Sequence, residues 1–136
     1  MKHLNLFVDG GSRGNPGPAG IGIVIKDADG RTVRELSRHI GIATNNIAEY
    51  YAVIYGLQEA LFEKADEVDL HIDSELVAQQ LKGDYRVRNA NIKPLFDQTL
   101  HLIGGFKNVR IHGIPREKNK EADKLVNKAL NLADLF

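Results

Sequence analysis

The order of strand-like and helix-like stretches is the feature that most constrains this chain. Three stretches with strand character come first, at residues 3–9, 20–27 and 31–41, and glycine-rich turn signals separate them. From residue 44 onward helix-like stretches alternate with two further strands, in the order β-β-β-α-β-α-α-β-α. Early strands joined by short turns pair antiparallel, whereas strands separated by helices join in parallel. The pattern predicts an α/β fold with a five-stranded mixed sheet and helices on both faces.

The long helix of the second part should begin near Thr44 and pack closely on its neighbour. Its small residues Ala52, Gly56 and Ala60 follow one another at four-residue steps and so share a face. No internal repeat or linker divides residues 1–136, and we expect one domain. The remaining elements are expected at residues 68–73 (strand), 75–83 and 93–103 (helices), 108–114 (strand) and about 118–132 (terminal helix).

Composition removes several classes of function. The chain has no cysteine, which excludes thiolate ligands and nucleophiles, so any metal must be held by oxygen or imidazole. Its 18 basic and 18 acidic residues give a formal charge of zero, so the chain cannot bind nucleic acid by net charge alone. No stretch approaches the roughly 20 apolar residues of a membrane span, and the N-terminus lacks a signal-peptide pattern. We expect a cytoplasmic, monomeric protein with no membrane partner.

Four carboxylates stand at the ends of the predicted elements. Asp9 and Asp73 each terminate an apolar strand, and neighbouring parallel strands bring their carboxyl ends to one edge of the sheet. Glu49 begins a helix face that is otherwise suited to the core, and Asp123 lies in the first turn of the last helix. Four converging acids would repel one another, and divalent cations remove that repulsion. Oxygen ligands of this kind suit Mg²⁺ or Mn²⁺.

Each acid also has a simpler explanation. Asp9 precedes two glycines and could belong to a turn, Asp73 could cap a helix, and Glu49 could compensate a helix dipole. Asp123 could simply be solvated. For any one residue this alternative is at least as good, but the shared position at element ends favours a common site.

Four segments, at residues 9–20, 44–49, 72–74 and 115–123, together resemble a type 1 ribonuclease H over nearly the full chain. The resemblance implies an endonuclease that hydrolyses the RNA strand of RNA/DNA hybrids by in-line attack of water, leaving a 5′-phosphate and a 3′-hydroxyl. It also implies that two Mg²⁺ ions, with Mn²⁺ as a substitute, are held by the four acids. The residues implied at the metal site are Asp9, Gly10, Glu49, Asp73 and Asp123.

The resemblance further assigns contacts with the hybrid. The glycine-rich loop should approach the minor groove, where 2′-hydroxyls distinguish RNA from DNA. Asn45 and Asn46 should contact sugars and bases, and Thr44 should hold a phosphate of the DNA strand. Helix capping alone is the alternative for these three residues. The full set of expected substrate contacts is Gly11, Ser12, Asn15, Thr44, Asn45, Asn46, Ser74, Glu75 and Asn119.

Many family members have a histidine in the loop before the last aspartate, and in this sequence its register falls near residues 113–116. Arg116 is the better candidate for its role, because a guanidinium can hold a phosphate bidentately. We expect it to act on the scissile phosphate; the alternative is a surface arginine paired with Glu117 or Glu121. The adjacent His112 should be structural.

Two other departures concern binding of the hybrid. Glu75 replaces a glutamine that is common in the family, and residues 83–93 lack a basic protrusion. We therefore expect weak, salt-sensitive binding. A hybrid-binding module with little or no activity, or a nuclease of the same fold acting on another duplex, remain alternatives.

Overall fold

The computed structural model describes residues 1–133. The strands are β1 (His3–Ser12), β2 (Gly17–Asp27), β3 (Thr32–Ala43), β4 (Glu67–Ile72) and β5 (Asn108–Gly113). The helices are α1 (Asn45–Phe62), α2 (Glu75–Lys82), α3 (Lys93–Ile103) and α4 (Lys120–Ala133), with a short 3₁₀ turn at Arg116–Lys118.

The five strands form one mixed sheet in the order β3-β2-β1-β4-β5. β1 pairs antiparallel with β2 and parallel with β4, and β5 pairs parallel with β4. The predicted antiparallel meander followed by parallel strands is confirmed. β1 is the central strand, with a partner on each side.

The prediction that the first strand ends at Asp9 is wrong. β1 continues to Ser12, because residues 10–12 pair with Ala19, Gly20 and Ile21 of β2. Glycines usually signal a turn, but here the ladder gives their backbone groups hydrogen-bond partners, and the turn itself is confined to residues 13–16. Asp9 therefore lies inside a central strand.

Helices cover both faces of the sheet, as predicted. On one face α1 packs on β1 and β2, and its small-residue stripe lies against the strands. A Cβ atom at Gly56 would lie 3.0 Å from the side chains of Leu6 and Val8, which explains the small residue there. On the other face α4 packs on β1, β2 and β3. Within residues 1–133, no helix combines the length and the apolar character that a membrane span requires.

Polar side chains occupy the α4 face of the sheet at β4 and β5. The carboxylate of Asp69 accepts two hydrogen bonds from Arg110, at 2.7 and 2.9 Å, and contacts Nε2 of both His3 and His112. The hydrogen bonds from Arg110 hold the pKa of Asp69 well below its usual range, although burial opposes this. His112 is thus part of a structural cluster, in agreement with its expected role.

Candidate active site

Three acids converge at the edge of the sheet. One carboxylate oxygen each from Asp9, Glu49 and Asp73 lies within 4.8 Å of the others. Asp9 and Glu49 are 7% and 4% exposed, and Asp73 is half-buried. The parallel pairing of Val8 with Ile72 brings the next residues, Asp9 in β1 and Asp73 just after β4, to the same edge. The predicted convergence is therefore present in the structure.

The absence of a side chain at Gly10 brings Glu49 to this site. A Cβ atom at Gly10 would lie 2.2 Å from the carbonyl oxygen of Ala48, so the first turn of α1 rests directly on β1. Thr44 starts this helix as an N-cap, and its hydroxyl accepts the N–H of Ile47 at 3.2 Å. Close packing and capping together fix where Glu49 enters the site.

The absence of a side chain at Gly22 brings the last helix, α4, close to the site in the same way. It is the cross-strand partner of Asp9, and a Cβ atom there would lie 2.2 Å from the carbonyl oxygen of Ala122 in α4. The backbone of α4 therefore lies on the sheet beside Asp9. Asp123, the next residue, comes close enough to raise the pKa of Asp9 by its charge and by a side-chain hydrogen bond. Asp9, Glu49, Asp123 and Arg116 line one cavity of about 170 Å³.

Burial and the charges of neighbouring carboxylates raise the pKa values in this cluster. Burial, and after it the charges of Asp73 and Asp123, raise the pKa of Asp9 from 3.8 to about 8. Burial is also the main reason that the pKa of Glu49 lies well above its usual value, with Asp9 and Asp73 adding to the effect. The charge of Arg116 opposes both shifts, but it is the smallest of the effects.

These residues fit a divalent cation. Asp73 Oδ1 is buried without a hydrogen-bond partner among the described residues, which is costly for an acceptor. Carboxylate oxygens are the ligands that hard divalent ions prefer, and a cation would offset the repulsion that raises the two pKa values.

Comparison with known proteins identifies the family. Residues 7–129 match a family model described as reverse transcriptase-like. The chain is 32% identical over 144 residues to a ribonuclease H of Agrobacterium fabrum, covering 96% of both chains. The chain belongs to the ribonuclease H family. The chain is similar in structure to LC11-RNase H1 solved with an RNA/DNA hybrid, with a TM-score of 0.90, 43% identity, and coverage of 96% of this chain and 98% of that one.

A second relative is longer than this chain. A bifunctional protein of Mycobacterium tuberculosis is 43% identical over 129 residues, which is 94% of this chain and 35% of that protein. The chain thus spans about a third of the length of this curated relative.

The expected hybrid-binding residues form two connected groups. The first group ties the glycine-rich loop to the start of α1: Asn45 N–H donates to Asn15 Oδ1 at 3.1 Å, and Asn45 Oδ1 accepts the N–H of Ser12 at 3.3 Å. Gly11 lines the cavity of the acids beside them. The tie places the loop and the helix start on the same side of the molecule as the acids.

The second group lines a polar cavity of about 190 Å³. Asn15, Thr44 and Asn46 contribute to it, as do Asn89 and Asn91 from the connection between α2 and α3. In the sequence this connection stands out only for lacking a basic protrusion, and its two asparagines were missed. The signal in the sequence that could have indicated them is the repetition of asparagine, whose neutral side chain suits turns and can donate hydrogen bonds.

The other expected site residues have local roles that the structure makes explicit. Ser74 caps α2, since its Oγ accepts the N–H of Val77 at 3.3 Å, and Glu75 is exposed in the first turn of that helix. Arg116 is exposed at the cavity of the acids, while Glu121, one of its two expected alternative partners, is paired with Lys26 at 2.8 Å.

Proposed function

We propose that this chain is an endonuclease that hydrolyses the RNA strand of RNA/DNA hybrids, leaving 5′-phosphate and 3′-hydroxyl ends. The observation that carries this proposal is the cluster of Asp9, Glu49 and Asp73, whose carboxylate oxygens lie within 4.8 Å of one another at the sheet edge. The structure of LC11-RNase H1 with a hybrid supports the choice of substrate. All of the clustered acids come from one chain, which supports activity as a monomer.

The four acids Asp9, Glu49, Asp73 and Asp123, with Gly10 beside them, would hold two Mg²⁺ ions, with Mn²⁺ as a substitute. Bound ions of this kind promote attack by water and stabilise the charge on the leaving 3′-oxygen. The chain's part is to fix the carboxylates in place. β1 fixes Asp9 within the sheet, and the close contacts at Gly10 and Gly22 fix the helices that carry Glu49 and Asp123.

Arg116 would bind the phosphate at the point of cleavage. Its exposed guanidinium lines the same cavity as Asp9 and Glu49, and its charge opposes the rise in the pKa of both acids. A planar, permanently charged group can hold two phosphate oxygens at once. The same contact would keep the backbone of the RNA strand over the acids.

The hybrid would be recognised mainly by neutral donors. Asn45 and the loop tied to it lie next to the acids, where 2′-hydroxyls of the RNA strand would contact them. Thr44, Asn46 and Asn89 line the polar cavity on the other side of the α1 start, and we assign a phosphate of the DNA strand to it. The 2′-hydroxyl contacts would thus require RNA in one of the two strands.

The test is a cleavage assay on RNA/DNA, RNA/RNA and DNA/DNA duplexes of one sequence, with Mg²⁺ or Mn²⁺. The wild type should cut only the hybrid, and only with a divalent ion. Asp73→Asn should be inactive, whereas Asp69→Asn is a matched control, because it makes the same substitution in β4 outside the acid cluster.

Three results would contradict the proposal. Cutting of RNA/RNA but not of the hybrid would overturn the substrate assignment. Hybrid binding without cleavage under either ion would favour the binding module. Equal cutting by Asp73→Asn would show that a contaminant is responsible.

A further inference from the structure

We infer that Asn119 is a positioning residue that holds the carboxylate of Asp73 against β1, and that it does not contact the hybrid. The inference deepens the proposed function and rests on it for the role of Asp73. Asn119 lies between the 3₁₀ turn and α4, and only 2% of it is exposed. Its Nδ2 donates to the backbone oxygen of Val8 and to Oδ2 of Asp73, both at 2.8 Å.

The chemistry of the two partners fixes the orientation of this amide. A carbonyl and a carboxylate oxygen can only accept hydrogen bonds, so the nitrogen of the Asn119 side chain must face them. Both N–H groups are thereby used, and nothing on the nitrogen is left to donate to a nucleic acid. A side chain this buried offers a substrate almost no surface.

Asp73 needs such a partner because the sheet does not fix it. β4 ends at Ile72, so Asp73 lies one residue beyond the last strand pairing. Its Oδ1 has no hydrogen-bond partner among residues 1–133, and Asn119 is the side-chain donor to its Oδ2. The amide therefore ties the end of β4 to the central strand next to Asp9.

The backbone of Asn119 extends the same connection to two further site residues. Its N–H donates to the carbonyl oxygen of Arg116 at 2.9 Å, and its carbonyl oxygen accepts the N–H of Asp123 at 3.1 Å. Outer hydrogen bonds of this kind orient metal ligands, and their loss typically costs 10- to 100-fold in metal affinity or activity. One residue thus aligns groups from β1, β4 and α4.

Steady-state kinetics separate positioning from substrate contact. Asn119→Ala should lower kcat for hybrid cleavage about 10- to 100-fold and leave KM within about twofold, because the side chain acts on Asp73 and not on the hybrid. Thr99→Val is the matched control. It removes a different buried hydrogen bond, from Thr99 to the carbonyl of Leu95 in α3, and should leave kcat unchanged.

A measurement without substrate tests the same point. Mn²⁺ affinity, read from the electron paramagnetic resonance signal of free Mn²⁺, should fall about 10- to 100-fold in Asn119→Ala. In an Asp73→Asn background the further loss should be no more than about twofold, because the amide acts through Asp73. If Asn119→Ala does not fold, Asn119→Ser, which keeps one donor, should show the same pattern with a smaller loss.

A raised KM with unchanged kcat and Mn²⁺ affinity would overturn the inference and restore a substrate contact. The inference would also be overturned if Asn119→Ala lowered the Mn²⁺ affinity equally in the wild-type and in the Asp73→Asn background. A wild type that binds Mn²⁺ but cleaves no hybrid would instead refute the proposed function, and the Mn²⁺ measurements would still decide the role of Asn119.

Discussion

Replacing Gly22 with alanine should disable the site without touching any acid. The new Cβ atom would lie 2.2 Å from the carbonyl oxygen of Ala122 and 2.8 Å from Cβ of Leu125. Real Cβ contacts are essentially never under 3.0 Å, so α4 must retreat by at least the difference, 0.8 Å. Misplacing a catalytic group by about 1 Å can cost roughly 100-fold in rate, and overpacking costs about 1–3 kcal/mol of unfolding free energy.

Hybrid cleavage and urea unfolding, measured on the same preparation, test this prediction. We expect kcat to fall about 100-fold while the protein stays folded, because Asp123 moves away from Asp9. Gly20→Ala is the control: it also lies on β2 beneath α4, but its nearest contacts would be 3.2 and 3.3 Å. If Gly22→Ala keeps the wild-type kcat, or if Gly20→Ala loses as much, the close contact at Gly22 does not position Asp123.

Four further predictions concern charge. In EDTA, stability should fall by a few kcal/mol between about pH 4 and pH 8, because the raised pKa of Asp9 makes the folded state favour its protonated form, and Asp9→Asn should flatten this slope in urea titrations. Asp69→Asn should lower stability in the same titrations, because it removes the carboxylate that accepts two hydrogen bonds from Arg110, with kcat unchanged. Arg116→Ala should lower kcat about 100-fold, and an unchanged kcat would exclude the phosphate contact. Hybrid affinity should fall roughly tenfold between 50 and 200 mM salt, and a flat profile would contradict the expected dependence on phosphate contacts.

The element order and the acid cluster could be predicted from the sequence because both follow from local patterns. Alternating strands and helices dictate the parallel joining of β4 to β1, and this joining alone brings Asp73, the residue after β4, near Asp9. Glu49 was detectable as a charge that begins an apolar helix face. These inferences need no knowledge of how the helices pack.

The remaining features depend on tertiary packing, which local sequence patterns do not predict. The end of β1 was misplaced because glycines that usually mark a turn here continue a ladder, and only the partner strand decides between the two. Gly22 reads as an ordinary strand glycine until α4 is seen to lie on it. Asn89 was missed because nothing in the sequence indicates that its connection reaches the start of α1.

The placement of Asp9 inside β1 has a consequence for how the site can be lost. A central strand with ladders on both sides opens only when the sheet as a whole unfolds, so hydrogen exchange at its amides should proceed at the slow rate of global unfolding. Asp123 lies in the first turn of the last helix and can detach by local opening, at a lower free energy. Asp9 therefore persists for the lifetime of the fold, while Asp123 is the acid that thermal fluctuation can remove and return.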